Sequence, residues 1–217
     1  ERTKPGAAVV QTQLEMDFSL DAGSRQVAAH IAQKIGKQVF SPFYLFGSSE
    51  KRESVYFYLI KENLVKRKKV LFLVPEIVLT QALREKFEKR LGEKVALLHS
   101  RLSERSREGE WRRIKEGEAE VVVGPRSALF SPLDDPGLII VDEEQDESFY
   151  QQESPCYDAR MGAWMRAEQE RALLVYGSFF PSVSSFYWAR KNGYLLSLGD
   201  EVRKRKVEII DDRRERG

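Results

Sequence analysis

The sequence predicts an α/β fold, one domain with a mainly parallel sheet sandwiched by helices. From about residue 24 onward, short β-rich apolar runs alternate with amphipathic stretches of helical period. The apolar runs are continuous rather than alternating in and out, which is the pattern of strands covered on both faces. Of the 217 residues, 41% are hydrophobic, enough to bury a real core.

The elements follow in order. An amphipathic stretch over 24–35 leads to an apolar run at 44–46. A helix predicted over 54–66 separates that run from the next, 70–74. A helix over 79–91 precedes the run 95–99, and a helix over 103–116 precedes 121–124. The run 138–141 is followed by an irregular aromatic segment, a helix over 159–170, the run 173–176 and a last helix over 182–192. Ser103 and Ser182 stand at the heads of their runs as N-caps, where a hydroxyl accepts from an otherwise unpaired backbone N–H. Strands alternating with helices imply a doubly wound sheet with ligands at the carboxyl ends of its strands. The predicted domain covers 21–199. Residues 1–20 read as a leader from a preceding domain, and 200–217 as a charge-dense connector around Val207-Glu-Ile-Ile, as in a piece of a longer polypeptide.

Composition narrows the function. Lys and Arg number 36 against 34 Asp and Glu, a net charge of +2, so any basic face must be local. The single cysteine, Cys156, excludes an internal disulfide and a cysteine-rich zinc site, and no metal is expected. No apolar run approaches the roughly 18 residues of a membrane span, and the start lacks a signal core; a cytoplasmic chain with no membrane partner is expected.

Leu138-Ile-Ile-Val-Asp-Glu-Glu-Gln is the most informative stretch. A buried strand there delivers Asp142 and Glu143 to the carboxyl edge of the sheet. In nucleotide hydrolases, the first acid at such a position orients Mg²⁺ and the second positions the attacking water. An acidic turn after a buried strand is the plainer reading of the acids alone.

The residues that follow, Asp146-Glu-Ser-Phe-Tyr-Gln-Gln-Glu-Ser-Pro-Cys-Tyr-Asp-Ala-Arg160, resemble the aromatic-rich loop of the primosomal protein N′ (PriA) replication-restart helicase family. Leu73-Val-Pro-Glu-Ile-Val-Leu-Thr80, His99-Ser-Arg-Leu-Ser and Gly124-Pro-Arg-Ser-Ala-Leu-Phe-Ser-Pro132 match further family motifs in the same order. The resemblance runs from about Leu20 to Asp212. It implies the first RecA-like lobe of a helicase, a P-loop NTPase type of fold, with Asp142 and Glu143 as the ATPase acids. It also implies DNA contacts at Thr80, Arg126, Ser127 and Arg160, with Phe149, Tyr150 and Tyr157 offering stacking faces to unpaired bases. The family's ligands are ATP with Mg²⁺. Its partners would be single-stranded or forked DNA, primosome proteins and the second lobe of the same protein.

The family's phosphate loop, Gly-x-Thr-Gly-Ser-Gly-Lys-Thr-Glu-Val-Tyr, is altered. Here the segment reads Gly47-Ser-Ser-Glu-Lys-Arg-Glu-Ser-Val-Tyr56, one residue shorter. Aligned from Gly47, Glu53 stands at the lysine position; aligned from Val55-Tyr56, Arg52 does and Glu53 takes the threonine position. Gly47, Ser48, Ser49, Arg52, Glu53 and Ser54 are thus the residues of a degenerate nucleotide loop. Such loops need glycine because the backbone wraps close to phosphate, and a cation to pair with it. The family's Gly-Ser-Ala-Thr-Pro-Ser, which couples hydrolysis to lobe movement, is Gly177-Ser-Phe-Phe-Pro-Ser182 here. The expectation is a lobe defective in ATP hydrolysis, with no cofactor in this chain, acting in DNA binding or primosome assembly. The alternatives are an active 3′-to-5′ helicase lobe that requires its second lobe, and a protein-interaction module without DNA binding.

Overall fold

The structure, a computed structural model, describes residues 20–199. The leader expected before Leu20 and the connector over 200–217 lie outside the described residues. Helix α1 (Ala22–Ala32) precedes strand β1 (Ser41–Phe46), α2 (Ser49–Val65), β2 (Lys69–Leu73), α3 (Gln81–Leu91), β3 (Val95–Leu97), α4 (Glu104–Lys115), β4 (Val121–Gly124) and β5 (Pro136–Asp142). A two-stranded hairpin, β6 (Tyr150–Gln151) and β7 (Tyr157–Asp158), interrupts the alternation. Then come α5 (Ala159–Gln169), β8 (Leu173–Ser178), α6 (Val183–Lys191) and β9 (Leu195–Ser197).

The main sheet has seven strands in the order β3-β4-β2-β5-β8-β1-β9, and every neighbouring pair is parallel. Alternate residues of each strand feed two cores. Val70, Phe72, Leu138, Ile140 and Val175 face α1, α2 and α3, where they meet Val55, Leu59 and Phe87. Leu71, Leu73, Ile139, Val141 and Leu174 face the other layer, packing on Ile114 of α4 and on Ala159, Ala163 and Ala167 of α5. Those alanines recur every four residues, so they form one helix face that approaches the sheet closely. Both faces being covered explains why the strands are apolar throughout. Among the described residues, no helix is long and apolar enough to cross a membrane.

The helix starts follow local chemistry. Ser103 accepts from the N–H of Ser106 and Ser182 from that of Ser185, as the sequence predicts. Asp21 caps α1 by accepting from the Ser24 N–H at 2.8 Å, and so starts the helix two residues earlier than expected. The largest departure is α2, which begins at Ser49 rather than 54 and takes up most of the predicted nucleotide loop. No glycine occurs between Gly47 and Gly92, and Glu50, Lys51 and Arg52 are good helix formers, so nothing opposes winding of this segment. The run 95–99 is extended only through Leu97, whereas β5 reaches back to Pro136 and on to Asp142. Strand β9 was not anticipated. It pairs with β1 at the sheet margin, and its three residues, none fully buried, leave too little apolar signal.

Phe87 is buried at the junction of α2, α3 and the sheet, its ring 4.9 Å from that of Phe57 and 5.3 Å from that of Phe72. Phe87→Ala should therefore lower stability by about 3–5 kcal/mol in urea unfolding. The exposed-residue variant Tyr187→Ala should stay within about 0.5 kcal/mol of the parent.

Candidate functional site

The carboxyl ends of β1, β5 and β8 meet where the sequence predicts a site. Gly47 N–H donates to the Ser178 carbonyl and Glu144 N–H to that of Gly177, which draws the three strand ends together. Arg52 reaches into this junction from the first turn of α2, because helix side chains lean toward the N-terminus. It is fully buried. Its Nε donates to Asp142 Oδ1 at 2.8 Å, one Nη donates to the Gly47 carbonyl at 2.5 Å, and the other donates to Glu143 Oε1. The Tyr56 hydroxyl, one helical turn on, donates to the same Asp142 Oδ1 at 2.8 Å. Gln145 Nε2 holds the second Glu143 oxygen at 2.9 Å. Glu143 itself has a φ of 52°, a left-handed conformation that costs a glutamate free energy and is held here by the ion pair and Gln145.

The geometry leaves little free room. Gly177 has to be glycine, since a Cβ there would lie 1.7 Å from the Tyr56 hydroxyl. The cavity remaining beside Asp142, bordered by Ser49, Glu53 and Tyr56, measures about 40 Å³. Burial works against the Arg52 charge, but the Tyr56 hydroxyl, Asp142 and Glu143 outweigh it and hold the guanidinium above its ordinary pKa. Burial also pushes the Asp142 carboxyl above the usual carboxylate range, with Arg52 and Tyr56 pulling the other way.

The other residues of the predicted loop separate. Ser48 occupies the N-cap position of α2 and Ser49 is its first residue. The Ser54 hydroxyl donates to the Glu50 carbonyl at 3.1 Å within the helix. Glu53 pairs with Lys86 of α3 at 2.7 Å and with Arg90 at 3.7 Å. Of the two candidates for the lysine position, Arg52 is the one set against the acids.

The predicted DNA-contact residues lie along the same carboxyl edge, with different roles. Thr80 caps α3, its Oγ1 accepting from the Leu83 N–H at 3.3 Å, and borders a cleft of about 480 Å³ shared with Glu76, Arg84, His99 and Arg101. Arg84 and Arg101 were not singled out from sequence. Their signal was position alone, Arg84 one turn beyond Thr80 and Arg101 two residues past His99. Burial, and then the Arg84 charge, push the His99 imidazole below its ordinary pKa. Arg126 donates to the carbonyls of Ser148 and Tyr150, tying the aromatic segment to the end of β4, while the neighbouring Ser127 is exposed. Tyr150 is 46% exposed. Tyr157 is half-buried and packs edge-on to Phe130. Phe149 corrects the expectation: it is fully buried in the α5-side core and presents no face to a base. Arg160 also differs from a free phosphate contact, because its guanidinium is held by Asp158 at 2.7 Å and by the Glu144 carbonyl at 3.1 Å.

Arg52→Met would leave buried Asp142 without a cation beside the half-buried Glu143, at a cost of about 3–5 kcal/mol near neutral pH. Without Arg52 the folded-state pKa of Asp142 rises further above its unfolded value. Its contribution is then fully present below the unfolded pKa and is lost as pH rises through the folded one. The deficit should therefore grow from mildly acidic to neutral pH in paired urea titrations; a deficit independent of pH would contradict the charge account.

Comparison with known proteins agrees with this architecture. A family model described as DEAD/DEAH box helicase matches residues 53–174. Replication restart protein PriA from Bacillus subtilis (strain 168) is 40% identical over 168 residues, which is 76% of this chain and 21% of that protein. PriA from Chlamydia pneumoniae is 41% identical over 160 residues, 73% of this chain and again 21% of the relative. The chain thus spans about a fifth of the length of these curated relatives. Among solved structures, RecG bound to a three-way DNA junction superposes with a TM-score of 0.60 at 18% identity, covering 89% of this chain and 25% of that one. The helicase domain of Hef from Pyrococcus furiosus gives 0.52 at 19%, covering 80% and 36%. These two likenesses show the fold alone. The chain belongs to the DEAD/DEAH box helicase family, as a first RecA-like lobe of the replication-restart, PriA-like type.

Proposed function

We propose that this lobe binds DNA within a replication-restart protein and does not hydrolyse ATP. The observation that carries the reading is the Arg52 guanidinium seated between Asp142 and Glu143. Phosphoryl transfer on this fold needs an acid free to orient Mg²⁺, a second to position water, and a loop whose backbone N–H groups cradle phosphate. Here the acids already have a cation, and the segment that would wrap phosphate is a helical turn carrying Glu50 and Arg52 where the family's loop has glycines. The residues present do not fit a metal-bound nucleotide. Admitting one would require evicting a buried arginine and unwinding that turn. The space beside Asp142 is about 40 Å³, against the several hundred of ordinary ligand pockets. Phe179 and Phe180 support the same reading, since they remove the hydroxyl from the segment that couples hydrolysis to movement. Phe179 stacks on Phe46 with ring centres 6.1 Å apart.

DNA binding is supported by Thr80, Arg84, Arg101 and Arg126 along the carboxyl ends of β2, β3 and β4, with the exposed ring of Tyr150 nearby. The partners are single-stranded or forked DNA, the second lobe of the same protein and other primosome proteins, in the cytoplasm.

Titration with Mg-ATP by calorimetry should give no saturable heat at millimolar nucleotide; micromolar binding would favour the active-lobe alternative. For DNA, anisotropy titrations with oligo-dT should show modest affinity that falls with salt. Arg84→Ala and Arg101→Ala should each flatten the logarithmic salt slope by about 0.7. Tyr150→Ala should cost about 1–3 kcal/mol of binding. Unchanged curves for all three variants would leave the protein-interaction module as the better reading.

A further inference from the structure

On the side of β5 away from the basic cleft, α5 and α6 enclose a second cleft of about 610 Å³. Its walls are aromatic and soft. Trp164 and Trp188 meet edge to face at 5.1 Å, Met161 is 60% exposed, and Tyr176 lies behind them. Met165 and Tyr187, the chain neighbours of the two tryptophans, are also exposed. Its floor is acidic. Glu144 is 2% exposed and accepts only from neutral groups: the Tyr44 hydroxyl at 2.7 Å, the Ser182 N–H at 3.3 Å and the Ser185 hydroxyl at 3.0 Å. Among the described residues no salt bridge reaches its carboxylate, although the Arg160 charge acts on it from nearby. The one guanidinium at hand, that of Arg160, is held by Asp158, so two carboxylates face one cation.

We infer that this cleft is a protein-docking site that accepts an arginine side chain from a partner polypeptide. A carboxylate has about four acceptor positions, and three of those on Glu144 are filled, leaving one on Oε2 for an incoming N–H. Indole faces attract a cation lying over them, and a planar guanidinium stacks there better than an ammonium does. The Tyr44 and Tyr176 hydroxyls are both pushed upward, by burial first and then by the Glu144 charge, as a negative floor requires. That same floor repels phosphate, which favours a basic peptide over a nucleic acid as the occupant. An exposed rim of methionine and aromatic residues matches the composition of protein interfaces.

Indole N–H cross-peaks in ¹⁵N–¹H spectra of the 217-residue chain read the cleft directly, because Trp111 on α4 serves as an internal control. A hexa-arginine peptide should shift the Trp164 and Trp188 signals and leave Trp111 in place, and a hexa-citrulline peptide should shift none. Glu144→Gln and Trp188→Ala, the latter read at Trp164, should each weaken binding by about tenfold. Trp188→Ala removes an exposed side chain, so it carries the test if Glu144→Gln does not fold. The inference is overturned if hexa-arginine moves neither signal, if citrulline matches it, or if folded variants bind as tightly as the parent. It is overturned equally if a deoxythymidine oligonucleotide shifts these signals and hexa-arginine does not.

Discussion

A carboxylate buried at the end of a strand is costly to keep ionised unless a cation joins it, and the choice of cation for Asp142 shapes everything around the end of β5. Here the cation is Arg52, delivered by the first turn of α2. To place it there, the segment after Gly47 must be helical rather than looped. Tyr56 follows on the same helix face and shares Asp142 Oδ1, and its hydroxyl then excludes any side chain at position 177. The left-handed backbone of Glu143 belongs to the same arrangement, since it turns that carboxylate toward the guanidinium. At an effective dielectric near 20, a single charge contact at 4 Å is about 4 kcal/mol, enough to organise a neighbourhood of this size.

How much of this could be read from the sequence depends on whether a residue's neighbours are local. The runs at 121–124 and 138–141 were legible because strands buried on both faces must be apolar throughout, and Ser103 and Ser182 because a cap is a contact three residues long. The strand at Leu195–Ser197 was not, since its pairing with β1 lies about 150 residues away in sequence and its own residues are only half covered. The acids Asp142 and Glu143 were found at the carboxyl edge as expected, but their partner was not foreseeable. Residues 47–54 were read against a glycine-rich template, and without the glycines the intrinsic preference of Glu50, Lys51 and Arg52 for helix decided the outcome.

The aromatic segment shows the same limit from the other side. In sequence, Phe149, Tyr150 and Tyr157 are equivalent rings in a polar loop. In the fold, the small face of α5 leaves a hollow that takes Phe149 completely, while the short β6–β7 hairpin holds Tyr150 outward. Arg126 then fastens the hairpin to the end of β4 through two backbone carbonyls, so a residue read as a phosphate contact also bears on the loop's position. Arg160 is likewise spoken for, because Asp158, two residues before it, is its ion-pair partner.

The ion pair beneath α2 also has a consequence for inheritance. Loss of either acid would leave a buried guanidinium with two of its three partners, and loss of Arg52 would leave the acids without a cation; each single change is harmful, whatever the site does chemically. Folding alone is then sufficient to preserve the Asp-Glu pair through drift. A glycine-rich loop in this place would have to alter the helix, the arginine and its tyrosine neighbour together, so the three are coupled. Packing is thus enough to keep the acidic signature at the strand end, whether or not the site turns over nucleotide.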